Sequence, residues 1–121
     1  MLPMSLYIAD LTTARRTLRA YVVTTLYRPS LPGTEAPALV LPRRPGYMSV
    51  NPERSFSQGL VRSLANRLPE EQRYIIEDLA VLTTKAAARR AGCNAATLRQ
   101  RQEAALGWLL EVLYLQRDDG Q

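Results

Sequence analysis

The chain has 121 residues, 46% apolar and 22% charged, enough for one domain that buries roughly two-thirds of its extended surface. Sixteen basic residues stand against eleven acidic ones, a formal charge of +5. One cysteine and no histidine exclude an internal disulfide, a structural zinc site and a His-based catalytic triad. No apolar run approaches the roughly 20 residues of a membrane span, and the opening MLPMSLYIADL lacks the basic start and sustained apolar stretch of a secretion signal. The expectation is a soluble cytoplasmic protein with no metal or other cofactor and no membrane partner.

Lys85 is the sole lysine, so fifteen of the basic residues are arginines. The planar guanidinium fork suits phosphate, guanine edges and carboxylates. A small basic protein commonly meets nucleic acid or an acidic protein surface. An arginine-rich codon supply gives the same total with no partner at all, so the position of the charge has to decide.

Three segments differ in composition. Residues 1–27 read as a helical arm: Tyr7, Leu11, Ala14, Leu18, Val22 and Leu26 recur at spacings of three and four and line one helix face. Asp10 is a candidate cap, and Arg15, Arg16 and Arg19 fall mostly on the open side. The β-branched run Tyr21–Tyr27 also suits a strand, but the spacing favours helix. Residues 28–51, with five prolines and two glycines, read as a linker or extended arm, because each proline removes an amide donor and biases its predecessor away from helix. The ALVL piece at 38–41 is at most an isolated extended segment.

Residues 52–121 read as helices. Asn51-Pro52-Glu53 is a good helix start, followed by Phe56, Leu60, Leu64 and Leu68 at intervals of four. Pro69-Glu70-Glu71 opens a second helix with Tyr74, Ile75, Leu79 and Leu82 as its apolar face. A short third helix fits Thr84 to Ala91, capped by Thr83 or Thr84 and ended by Gly92. A last helix starts at Asn94 or Ala95 and runs to about Leu115, burying Leu98, Ala105, Leu109 and Val112, with Leu106 and Leu113 widening that face.

Residues 84–102, TKAAARRAGCNAATLRQRQ, carry five basic residues and no acid. Ala88, Gly92 and Leu98 sit at the spacing of a helix-turn-helix: a small residue where two helices cross, a turn, then an anchor to the core. In that motif the start of the second helix enters the major groove. Asn94, Ala95, Ala96, Thr97, Arg99, Gln100 and Glu103 are then the exposed positions. Arg99 suits guanine, Gln100 adenine, and Glu103 accepts from cytosine. Lys85, Arg89, Arg90 and Arg101 are better placed for phosphate. The plain alternative is a helical hairpin with a solvated arginine face.

Residues 64–110 resemble region four of bacterial sigma factors. The match lies in Leu68-Pro69-Glu70-Glu71-Gln72-Arg73 opening a helix, then Ala88, Gly92, Leu98, Arg101, Ala105 and the Leu109-Leu110 pair. No counterpart of the promoter-melting sigma regions accompanies it, which points to a small regulator. With the linker Arg44-Pro45-Gly46-Tyr47, the chain resembles phage late-gene regulators, the Q-type antiterminators and their ArpU- and RinA-like relatives. That resemblance implies a mainly α fold, a small sigma region-four-like helix-turn-helix domain preceded by an N-terminal helix and a Pro-rich linker. It also implies binding of double-stranded DNA near a late promoter and of bacterial RNA polymerase at the flap, where sigma region four docks. The implied activity is suppression of pausing and termination. The sequence departs from the pattern at Ala95-Ala96, which leaves the tip of the recognition helix without polar groups, and at Leu82-Thr83-Thr84, which lacks a glycine.

Trp108 reads as core packing or a dimer contact, and Cys93 as a small buried hydrophobe. Glu70, Glu71, Glu77 and Asp78 are either a solvated face or a docking patch. No paired carboxylates, Gly-rich phosphate loop or nucleophile with a base is present, so an enzyme is not expected. The alternatives to antitermination are a stand-alone helix-turn-helix regulator, homo-oligomeric through Trp108, Leu110 and Leu113 of the last helix, and a protein-only inhibitor of the sigma site on polymerase.

Overall fold

A computed structural model describes residues 4–29, 33, 35–42 and 53–116. These form a mainly helical chain: α1 (Met4–Tyr21) running into a π-helical turn (Val22–Leu26), β1 (Leu39–Pro42), β2 (Glu53–Phe56), α2 (Gln58–Asn66), α3 (Glu70–Val81), α4 (Thr84–Ala91) and α5 (Ala95–Leu115). No helix among the described residues is long and apolar enough to cross a membrane.

The N-terminal helix follows the expected stripe, with Ala14, Leu18, Val22 and Leu26 all buried; the side chains of Tyr7 and Leu11 lie outside the description. Two details differ. Helix α1 already starts at Met4, so Asp10 sits inside it rather than capping it. The β-branched run Val22–Thr25 is helical but widens to a π turn, because branched Cβ atoms crowd the preceding turn. The Thr24 hydroxyl also donates to the Ala20 carbonyl at 2.7 Å. Carbonyls left unpaired where this helix ends are met by α2. Gln58 Nε2 donates to the Thr25 carbonyl at 2.7 Å and to Arg28 at 3.0 Å, and the Arg62 guanidinium donates to the Leu26 carbonyl at 2.6 Å.

The reading of Asn51-Pro52-Glu53 as a helix start is corrected. Asn51 and Pro52 lie outside the described residues, as does Arg44 to Tyr47, while Glu53–Phe56 is a strand. It pairs antiparallel with β1 in the register Leu39↔Phe56 and Leu41↔Arg54, so ALVL is not isolated. Leu39, Leu41 and Phe56 enter the core while Val40 stays exposed, the alternation of a half-buried ribbon. Helix α2 begins instead after Ser57, whose Oγ accepts the Leu60 amide at 3.2 Å. Its buried face is Val61, Leu64 and Ala65. The expected stripe does enter the core, with Phe56, Leu64 and Leu68 buried and Leu60 packed against them, but Phe56 belongs to β2 and Leu68 follows α2.

Helix α3 buries Ile76 and Leu79 and leaves Tyr74 exposed. There Tyr74 donates its hydroxyl to Glu70 at 3.0 Å. Helix α4 has the expected bounds, with Thr83 as its cap and Gly92 ending it at φ +70°. Glycine adopts that left-handed backbone without the Cβ penalty. Helix α5 buries Leu98, Gln102, Ala105, Leu106, Leu109, Leu110 and Leu113; Val112 is only half-buried. One large core joins α1, both strands, α2, α3 and the C-terminal two-thirds of α5. A smaller cluster of Ala87, Ala88 and Leu98, with Leu82 and Cys93 against it, fastens α4 to the start of α5.

Tyr27 supplies a pH test of this packing. Its hydroxyl is buried without a hydrogen-bond partner among the described residues. Burial, helped by the Glu77 charge, pushes its pKa up to about 12. Burial also raises Tyr21. The native state then holds these protons more tightly than the unfolded chain, whose tyrosines titrate near pH 10. Their contribution is intact below about pH 10 and lost as the pH rises through about 12. Urea midpoints are expected to fall across that window, and Tyr27→Phe to make the fall shallower; a variant curve parallel to wild type contradicts the assignment.

Candidate nucleic-acid interface

The residues expected to meet DNA come from α4, the turn and the start of α5. The turn is tight. The Gly92 amide donates to the Arg89 carbonyl at 3.2 Å and the Cys93 amide to Ala88 at 3.1 Å. These bonds close the end of α4 while the chain reverses into Asn94. Asn94 Oδ1 accepts the Thr97 amide at 2.8 Å, which makes Asn94 the cap of α5. Small Ala87 and Ala88 let the two helices approach, and Leu98 closes the angle from below.

On this frame Lys85, Arg89, Arg99, Gln100 and Arg101 are exposed. None of the four cations among them has an ion-pair or hydrogen-bond partner among the described residues. Arg90 is also exposed but leans back on Asp78 at 3.6 Å, tying α4 to α3. Thr97 is half-buried and gives its amide to the cap. Ala95 and Ala96 are exposed and present only methyl groups. The surface can therefore offer several point charges to a phosphate backbone and few polar groups to base edges.

Glu103 differs most from the expected role. Its carboxylate is held by α1, with Arg19 Nη1 at 3.3 Å and Arg15 Nε at 3.8 Å. Arg19 Nη2 also donates to Gln102 Oε1 at 2.9 Å, meeting the one buried polar side chain of the described core. Arg15 and Arg19 thus lean on α5 rather than facing open solvent. Sequence reasoning missed this contact. The Arg15-Arg16-x-x-Arg19 spacing shows a basic helix face but not which helix receives it.

Of the other residues, Trp108 is 51% exposed, so it is not core packing. Cys93 is half-buried against the small cluster, as a small hydrophobe would be. Three of the four acids singled out on α3 are engaged within the chain: Glu70 with Tyr74, Glu77 with Arg73 at 4.0 Å and Asp78 with Arg90. Comparison with protein-family models, curated proteins and solved structures finds no match.

Capping and DNA contact at Asn94 are separable. Asn94→Ala is expected to cost about 1 kcal/mol of stability through loss of the cap. Asn94→Asp keeps an acceptor at the cap, so it should melt near wild type yet weaken duplex binding by placing an anion beside phosphate. Equal duplex affinity for Asn94→Asp and wild type places Asn94 away from the DNA.

Proposed function

We propose that the chain is a helix-turn-helix regulator of transcription that binds duplex DNA through α4 and the start of α5, working as a phage-type antitermination factor. The observation that carries the DNA part is the hairpin itself. A left-handed glycine turn joins two close-packed helices whose exposed cations Lys85, Arg89, Arg99 and Arg101 lack partners among the described residues. Unpaired cations on a rigid frame suit the phosphate backbone, which supplies most sequence-independent affinity. The polymerase part rests on the resemblance of residues 64–110 to sigma region four. In that reading the protein binds near a late promoter, joins host RNA polymerase at the flap and suppresses pausing and termination.

One observation favours a second reading, a stand-alone DNA-binding regulator that dimerises. Of the residues expected at such an interface, Leu110 and Leu113 are buried in the core, whereas Trp108 is 51% exposed and Leu115, about two turns further along α5, is 74% exposed; those two are where a second copy would pack.

The test has two arms. Neutralising about five phosphates gives a log affinity that falls against log salt with a slope near −4 to −5, and Arg89→Ala should lower that slope by about one. A nuclease-treated pull-down from host lysate should retain RNA polymerase, and a template with a terminator should show read-through. Duplex binding by a dimer without polymerase selects the stand-alone regulator. Polymerase binding without any duplex affinity overturns the DNA reading in favour of a protein-only inhibitor.

A further inference from the structure

Helix α1 brings a second set of cations to the edge of this surface. Thr12, Arg15, Arg16 and Arg19 from α1 line a cleft of about 440 Å³ with Arg99 and Glu103 from α5. Among the described residues four arginines and one carboxylate line the cleft, an excess of three positive charges. Among the described residues Glu103 pairs with Arg15 and Arg19 alone. Arg16 and Arg99 are exposed and have no partner among the described residues. Arg15 Nε is buried and makes no hydrogen bond among the described residues, because the Glu103 oxygen at 3.8 Å is beyond hydrogen-bonding distance. A buried donor without an acceptor is uncommon, and an anion joining the cluster would relieve the repulsion among its guanidinium groups.

Resting on the DNA reading above, we infer that this cleft is a seat for one backbone phosphate of the bound duplex, flanking the groove that the hairpin enters. A phosphodiester carries two anionic oxygens that accept guanidinium forks from both helices. The Arg19–Gln102 and Arg19–Glu103 bonds hold Arg19 in place beforehand, which reduces the ordering cost of binding. Arg99 is then a phosphate ligand beside α1, not the guanine reader expected from its position in the helix. Glu103 orients the arginines instead of accepting from cytosine. Helix α1 becomes a clamp that fixes the register of the hairpin on the duplex, as backbone contacts do.

The experiment follows the anisotropy of a labelled random-sequence duplex against salt, using the full chain. Variants are Arg16→Ala, Glu103→Gln and, as a control on the hairpin, Arg89→Ala, each checked by thermal melting. Arg16→Ala should weaken binding several-fold and make the slope shallower by about 0.9, the value for one phosphate. Glu103→Gln keeps an oxygen that accepts from Arg19, so the arginines stay oriented, while it removes the only carboxylate lining the cleft among the described residues; it should therefore tighten binding. If Arg16→Ala or Glu103→Gln binds like wild type while Arg89→Ala is weakened, the phosphate seat is wrong and the hairpin reading stands. Weaker binding by Glu103→Gln also overturns the seat. A wild-type chain that binds no duplex at any salt overturns both.

Discussion

Burial of a single face of α5 fixes most of what the molecule can present. Ala105, Leu106, Leu109, Leu110 and Leu113 pack into the large core, while Leu98 packs into the small cluster under α4. Full burial of a leucine side chain contributes about 1.5–3 kcal/mol, so the long half of α5 is strongly held and the short half is held chiefly by Leu98. Gln102 lies between them, buried and bonded to Arg19. That contact joins the N-terminal helix to the place where α5 passes from core column to surface element. The hairpin is therefore carried on a rigid shaft rather than on a free arm.

The same constraint fixes where the arginines of α1 stand. Its apolar stripe enters the large core through Ala14, Leu18, Val22 and Leu26, and α2 secures its end through Gln58 and Arg62. With the helix so fixed, its arginines stand beside α5. Electrostatics and packing act together here. Salt bridges at half-exposed positions contribute little stability by themselves, and the pairs on Glu103 serve mainly to place charge. The result is a cleft that joins Arg16 of α1 to Arg99 of α5, with Lys85 and Arg89 exposed on α4.

How much of this was legible in the sequence follows from the range of the interactions. Helix bounds at α4 and α5 depend on neighbours within four residues: Thr83 and Asn94 as caps, Gly92 as a left-handed stop. Those were readable, as was the Ala14-Leu18-Val22-Leu26 stripe. The ribbon was not, because four-residue strands carry little periodicity and the pairing of Leu39 with Phe56 spans the proline-rich segment. A local signal at Asn51-Pro52-Glu53 outweighed it, although Ser57 supplies the true cap. At the candidate site, the exposed cations of the hairpin follow from composition and spacing. The capture of Glu103 by Arg15 and Arg19 is a contact between distant segments and leaves no trace in either one.

Amide hydrogen exchange of the full chain, with and without a random-sequence duplex at low salt, tests the central claim most directly. DNA docking on the hairpin and the α1 clamp predicts slower exchange across residues 84–101 and along 12–19, with α3 unchanged. Protection confined to the Trp108 and Leu115 end of α5, or none on adding duplex, would contradict it.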